Sequence, residues 1–107
     1  MKKMIGLLPR RPEMSPEQFR QYWTTTHAEI TAKVPGLRLY VQNICLPDEN
    51  GEPAFDGVAV LAFDDMVGMQ KAMGTPEWEA VMDDVPKFVD DSRIVIMIAD
   101  ENTVVTG

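Results

Sequence analysis

Two short stretches, Val58-Ala59-Val60-Leu61-Ala62-Phe63 and Ile94-Val95-Ile96-Met97-Ile98-Ala99, are apolar at every position. Each is far below the roughly 20 residues that span a bilayer, and each is rich in the β-branched and aromatic residues that favour strands. A strand with one face in water alternates apolar and polar side chains. Neither stretch alternates, so the sheet that contains them must be covered on both faces. That requirement limits the chain more than any other feature of it.

The remaining elements follow from the punctuation. Lys3 to Leu8 reads as a first strand ended by Pro9. Ser15-Pro16-Glu17-Gln18 is a helix start, with Ser as N-cap, Pro at the first helical position and Gln placed for a capping box. That helix is expected to reach about Val34 and to stop before Pro35-Gly36. Leu37 to Leu46 is a second strand, and the polar turn Pro47–Pro53 leads to a third over Asp56–Phe63. Asp64 or Asp65 caps a short helix ending near Gly74, with Met66, Met69 and Met73 as its apolar face. Thr75-Pro76-Glu77 starts another helical piece, Pro86 to Asp91 forms a turn, and Ser92 to Ala99 is the last strand.

Strand, helix, strand, strand, helix, strand is the ferredoxin-like order, an α+β fold with a four-stranded antiparallel sheet. At 107 residues the whole chain, 1–107, is expected to be one domain. Two helices cover only one face of such a sheet. The other face, left wet, would expose several hundred Å² of apolar surface. The short segment Asp100–Gly107 is too small to cover it, so the expectation is a two-fold homodimer closed sheet against sheet.

Composition removes several classes of function. The formal net charge is −7, and the only dense basic group is Arg10-Arg11. That excludes a nucleic-acid surface and disfavours an anionic membrane surface. The start Met1-Lys2-Lys3 is followed by too short an apolar run for a signal peptide, which suggests a cytoplasmic protein. One Cys and one His exclude an internal disulfide and the common zinc clusters, so no metal or haem cofactor is expected. Cys45 reads as a small buried hydrophobe in a strand. The pairs Asp64-Asp65, Asp83-Asp84 and Asp90-Asp91 read as caps and turns, because adjacent residues do not share a helix face.

Phe19, Trp23, His27, Ile30 and Val34 recur at steps of four, four, three and four residues, which places His27 within the apolar stripe of the first helix. It is then either a packed histidine bonded to backbone or a general acid or base tuned by burial. Tyr40, Gln42 and Ile44 share one face of the second strand, and Leu39, Val41 and Asn43 the other. If Tyr40 faces the helix, its hydroxyl can approach His27 as a proton-transfer partner.

The segments Arg10-Arg11-Pro12, Ser15-Pro16-Glu17-Gln18-Phe19, Tyr22-Trp23, Thr26-His27, Pro35-Gly36-Leu37 and Tyr40-Val41-Gln42-Asn43 resemble EthD-domain proteins. Phe55-Asp56-Gly57, Phe63-Asp64 and Thr75-Pro76-Glu77-Trp78 extend the resemblance, which covers residues 3 to about 99. It implies the dimeric α+β barrel superfamily, which includes cofactor-free lactone isomerases, polyketide cyclases, cofactor-free oxygenases and haem-handling enzymes. Methylmuconolactone methylisomerases, which resemble this domain, pair a helix His with a strand Tyr. Those positions match His27 and Tyr40, although this chain has no second His. The implied activity is proton transfer on a small cyclic or aromatic catabolite by an isomerase, cyclase or dehydratase. His27 and Tyr40 would be catalytic, with Phe19, Tyr22, Trp23, Asn43 and Trp78 binding a hydrophobic or aromatic small molecule. The alternatives are a non-catalytic ligand-binding or accessory protein, and a cofactor-free oxygenase with Trp23 and Asn43 around O₂.

Overall fold

A computed structural model describes residues 1–107. Its strands are β1 (Lys2–Leu8), β2 (Leu39–Ile44), β3 (Gly57–Phe63) and β4 (Val95–Asp100). They form one antiparallel sheet in the order β2-β3-β1-β4, which is the ferredoxin-like topology. The helices are α1 (Pro16–Tyr22), a π-helical turn (Trp23–His27), α2 (Ala28–Thr31), α3 (Met66–Met73), α4 (Pro76–Asp84) and a closing 3₁₀ turn (Val85–Lys87). No helix is long and apolar enough to cross a membrane.

Local chemistry sets the helix ends. Ser15 accepts from the Gln18 backbone N–H while the Gln18 side chain accepts from the Ser15 backbone, a complete capping box. Asp65 and Thr75 cap α3 and α4 in the same sense. Arg10 joins three segments: its guanidinium donates to Asp56 Oδ1 at 2.6 Å and to the Met14 carbonyl at 2.9 Å, and its backbone N–H donates to Asp56 Oδ2 at 2.8 Å. The end of β1, the approach to α1 and the start of β3 are thereby tied together.

The first helix departs from the expected ideal period. After Tyr22 it widens by one residue, so that the Ala28 N–H reaches the Trp23 carbonyl. The Thr24 and Thr25 hydroxyls donate to the Arg20 and Gln21 carbonyls, the back-bonding that bends helices at such residues. The wide turn makes Phe19, Trp23, His27 and Thr31 the buried row, and Ile30 stays only partly buried. The helical segment ends at Thr31 rather than near Val34, and Gly36 takes the positive φ of 80° that the reversal into β2 needs. In α3, Met69 is buried as expected, whereas Met73 points to solvent.

Register assigns the two sheet faces. Met4 pairs with Leu61 and Ile98, and Gly6 with Ala59 and Ile96; this row faces the helices. Ile5 pairs with Val60 and Met97, Leu7 with Val58 and Val95, and Val41 with Val60 on the opposite face. On that second face Val41, Val95 and Met97 are 39%, 40% and 43% exposed. The sheet is therefore apolar on both sides, and the helices cover one of them.

Candidate active site

The helix layer and the sheet enclose a cavity of about 60 Å³, and 12 of its 15 lining residues are hydrophobic. Met4, Gly6, Leu8, Ala59 and Leu61 form its floor. Trp23, His27 and Thr31 line it from the widened helix, Tyr40 from β2, and Trp78, Val81, Met82 and Val85 from α4 and the turn after it. Met82 and Ile96 are both more than one-third exposed and mark its mouth. No Lys, Arg, Asp or Glu lines it.

His27 is 4% exposed, and its Nδ1 lies 2.8 Å from Asp84 Oδ2. Asp84, 3% exposed, also accepts the Tyr22 hydroxyl proton through Oδ1 at 2.6 Å, and the ammonium of Lys87 stands 3.6 Å from the same oxygen. Burial pushes the Asp84 carboxyl up, but the bonds from Tyr22 and His27 more than offset it and hold the group below the usual carboxylate range. The carboxylate is ionised, so Nδ1 carries the ring proton. Burial pushes the His27 imidazolium down more than Asp84 raises it, and the ring is neutral at physiological pH. Burial, reinforced by the same carboxylate, lifts the Tyr22 phenol to about 12. Phe88 packs on His27 with ring centroids 4.7 Å apart and also meets Phe19 and Tyr22, which fixes the imidazole plane.

Asp84 is thus the partner of His27, where the sequence had suggested Tyr40. Tyr40 does face the helices, but its oxygen accepts from the Gln42 amide at 2.9 Å, and that amide also donates to the Trp23 carbonyl at 2.8 Å. Burial pushes the Tyr40 phenol up, which keeps its proton in place. His27 and Tyr40 meet as two walls of one cavity rather than as a hydrogen-bonded pair.

Among the residues expected to bind a ligand, Trp23 and Trp78 line the cavity. Phe19 lies behind Trp23 in the core, with ring centroids 5.4 Å apart, and does not reach the cavity. Tyr22 is held away from it by Asp84. Asn43 is on the opposite sheet face, where its amide donates to the Val58 carbonyl at 3.0 Å, so it cannot join Trp23 around a ligand. Cys45 is half-buried, and burial followed by Asp56 pushes its thiol up, away from thiolate character. No three His, Cys, Asp or Glu side chains gather where they could hold a metal ion.

Asp84 was hidden in the sequence by its neighbour: Asp83-Asp84 resembles a solvated pair. The available signal was helical spacing, since Asp84 lies three residues after Val81 and four before Phe88, on the buried side of α4.

A model of the EthD domain matches residues 11–92, a span that contains every residue of the His27–Asp84–Tyr22 constellation. The chain belongs to the EthD family. An EthD family protein from Bacillus halodurans is 32% identical, covers 95% of this chain and 99% of its own, and superposes with a TM-score of 0.82. More distant structures share the fold. A dimeric ferredoxin-like protein of unknown function from Thermobifida fusca is 19% identical over 92% of this chain and 88% of its own, with a TM-score of 0.69. SnoaB, a cofactor-independent oxygenase from Streptomyces nogalater, is 12% identical over 99% of this chain and 97% of its own, with a TM-score of 0.68. No curated protein matches the sequence of this EthD chain.

Proposed function

We propose that this EthD protein catalyses proton transfer on a small cyclic or aromatic catabolite, with His27 as general base. One observation carries the reading: a neutral histidine, its Nδ1 proton held by a buried carboxylate 2.8 Å away, stands on the wall of an apolar cavity. That arrangement leaves Nε2, with its lone pair, as the ring nitrogen free of protein partners. A base with a pKa below but near the working pH is deprotonated and still able to accept a proton. Asp84 orients the ring and stabilises the imidazolium that forms, and Tyr22 keeps Asp84 ionised and in place. The reaction classes that need only such a group are isomerisation, cyclisation and dehydration through an enolate. A second reading, favoured by the fold shared with SnoaB, is that His27 takes the hydroxyl proton of an electron-rich phenol and the phenolate so formed is oxidised by O₂.

The working form in this proposal is a homodimer joined through the uncovered sheet face. Its apolar rows are Ile5–Val60–Met97 and Leu7–Val58–Val95, and the Thermobifida fusca protein of the same fold is described as dimeric.

Deuterium exchange tests the base directly. A panel of cyclic ketones and unsaturated lactones in D₂O, followed by NMR, should show enzyme-dependent exchange at the acidic carbon of at least one member. His27→Gln should lower that rate about 10²–10⁴-fold with the fold intact. Exchange that is unchanged in the variant, or absent across the panel, would leave a binding protein rather than an enzyme.

A further inference from the structure

Two residues that line the cavity carry a hydrogen-bond donor with no acceptor in the protein within hydrogen-bond geometry. Trp23 is 0% exposed, and its Nε1–H is the one buried side-chain polar atom without a partner. Buried N–H groups are almost always satisfied, and an exception inside a cavity calls for a reason. Tyr40 is the second case. Its oxygen accepts from Gln42, whose amide protons are both committed, to Tyr40 and to the Trp23 carbonyl. The Thr31 hydroxyl donates its proton to the His27 carbonyl at 3.0 Å. The phenolic proton of Tyr40 has no acceptor in the protein within hydrogen-bond geometry, and Tyr40 lines the cavity. Trp23 lines the same cavity.

We propose that Trp23 Nε1–H and Tyr40 Oη–H form a two-donor site for a single ligand oxygen, a ketone or lactone carbonyl that becomes an enolate. The enolate step rests on the proton-transfer reading of His27; the oxygen site itself does not. The absence of any Lys or Arg from the lining selects an uncharged ligand over a carboxylate, because a buried carboxylate without a cation is strongly disfavoured. Preorganised donors aimed at a developing oxyanion are effective in such a water-poor site. The balance is simple. His27 Nε2 takes a proton from the carbon beside the carbonyl, the C–H electron pair moves into the enolate, and the charge settles on the oxygen at Trp23 and Tyr40. The imidazolium returns the proton to a different carbon, and nothing is oxidised or reduced. The enclosed volume of about 60 Å³ is well below the roughly 150 Å³ that holds benzene in an engineered apolar cavity. A six-membered ring therefore displaces Met82 at the mouth or projects past it.

4-Nitrophenol, whose phenolic oxygen can accept both donors without carrying a charge into the cavity, and nitrobenzene, which lacks that oxygen, separate the donors from the apolar walls. The wild-type protein should bind 4-nitrophenol about 10–100-fold more tightly than nitrobenzene, the range for two hydrogen bonds of ordinary strength to an uncharged oxygen. Trp23→Phe and Tyr40→Phe should each remove about tenfold of that preference and leave nitrobenzene binding within a few-fold. Should Trp23→Phe fail to fold, the indole ¹H–¹⁵N signal of Trp23 in the wild-type protein gives the answer. It should move downfield with 4-nitrophenol and not with nitrobenzene, with Trp78 as the internal control. Equal affinity for the two probes, no binding of either, a preference that survives both substitutions, or an unmoved Trp23 signal would overturn the oxygen site. A confirmed oxygen site without His27-dependent exchange would instead defeat the proton-transfer reading alone.

Discussion

His27 and Asp84 are 57 residues apart in sequence, yet Nδ1 and Oδ2 stand 2.8 Å apart in the packed helix layer. Asp84 has two donors, His27 and Tyr22, on separate oxygens, so its removal leaves both without an acceptor inside the core. Asp84→Ala should lower stability by about 3 kcal/mol, measured by urea denaturation. Asp84→Asn, close to the native shape, should cost less stability. It should still reduce turnover by about 10²–10⁴-fold, because a neutral amide neither selects the Nδ1-protonated tautomer nor stabilises the imidazolium.

The same groups set the pH dependence. The folded pKa of His27 lies below its ordinary value of 6.5, and that of Asp84 below 3.8. In both cases the unfolded chain binds protons more readily, so stability is full above these ordinary values and falls as the pH drops through each window toward the folded pKa. Tyr22, raised from 10.0 to about 12, has the opposite sign: its contribution is complete below pH 10 and is lost as the pH rises toward 12. Thermal melts from pH 3 to pH 12 should show a plateau through neutrality with decline at both ends. In Tyr22→Phe the alkaline decline should diminish.

Gly57 shows how closely the cavity wall is packed. A Cβ at this position would lie 2.6 Å from two ring carbons of Trp23, which is itself fully buried. Gly57→Ala should destabilise the protein by about 1–3 kcal/mol through overpacking, and the displaced indole should weaken probe binding in the cavity. Melting and 4-nitrophenol titration of the same sample measure both effects.

The uncovered sheet face carries the prediction about assembly. Light scattering at micromolar concentration should give twice the monomer mass. Val60→Lys, in the central row beside Ile5 and Val41, should dissociate the dimer or unfold it, since it places an unpaired charge in an apolar contact. A monomeric wild-type protein would contradict the dimer.

The architecture could be read from the chain because its signals are local: capping residues, proline positions and the two strands that do not alternate. The apolar stripe placed His27 and Trp23 correctly against the sheet. Its continuation failed at Ile30 because three successive threonines, two of them bonded back to carbonyls, widen the helix and substitute Thr31. The partner of His27 was not legible in the same way. Tyr40 was named because strand alternation puts it under the helix, and it does line the cavity. Which buried polar group meets another depends on how two helices pack, and no spacing along a single element reports that. The unsatisfied Trp23 N–H is a still less local property, visible only once every possible acceptor has a position.

The protonation state of His27 is the most direct test of the account, and the protein's single histidine makes its signal unambiguous. Long-range ¹H–¹⁵N correlation spectra recorded through a pH titration should show a neutral ring at pH 7 with the proton on Nδ1, and an apparent pKa below 6.5. A ring protonated on Nε2, or one that titrates at or above 6.5, would contradict the assignment of His27 as a base held by Asp84 and directed into the cavity.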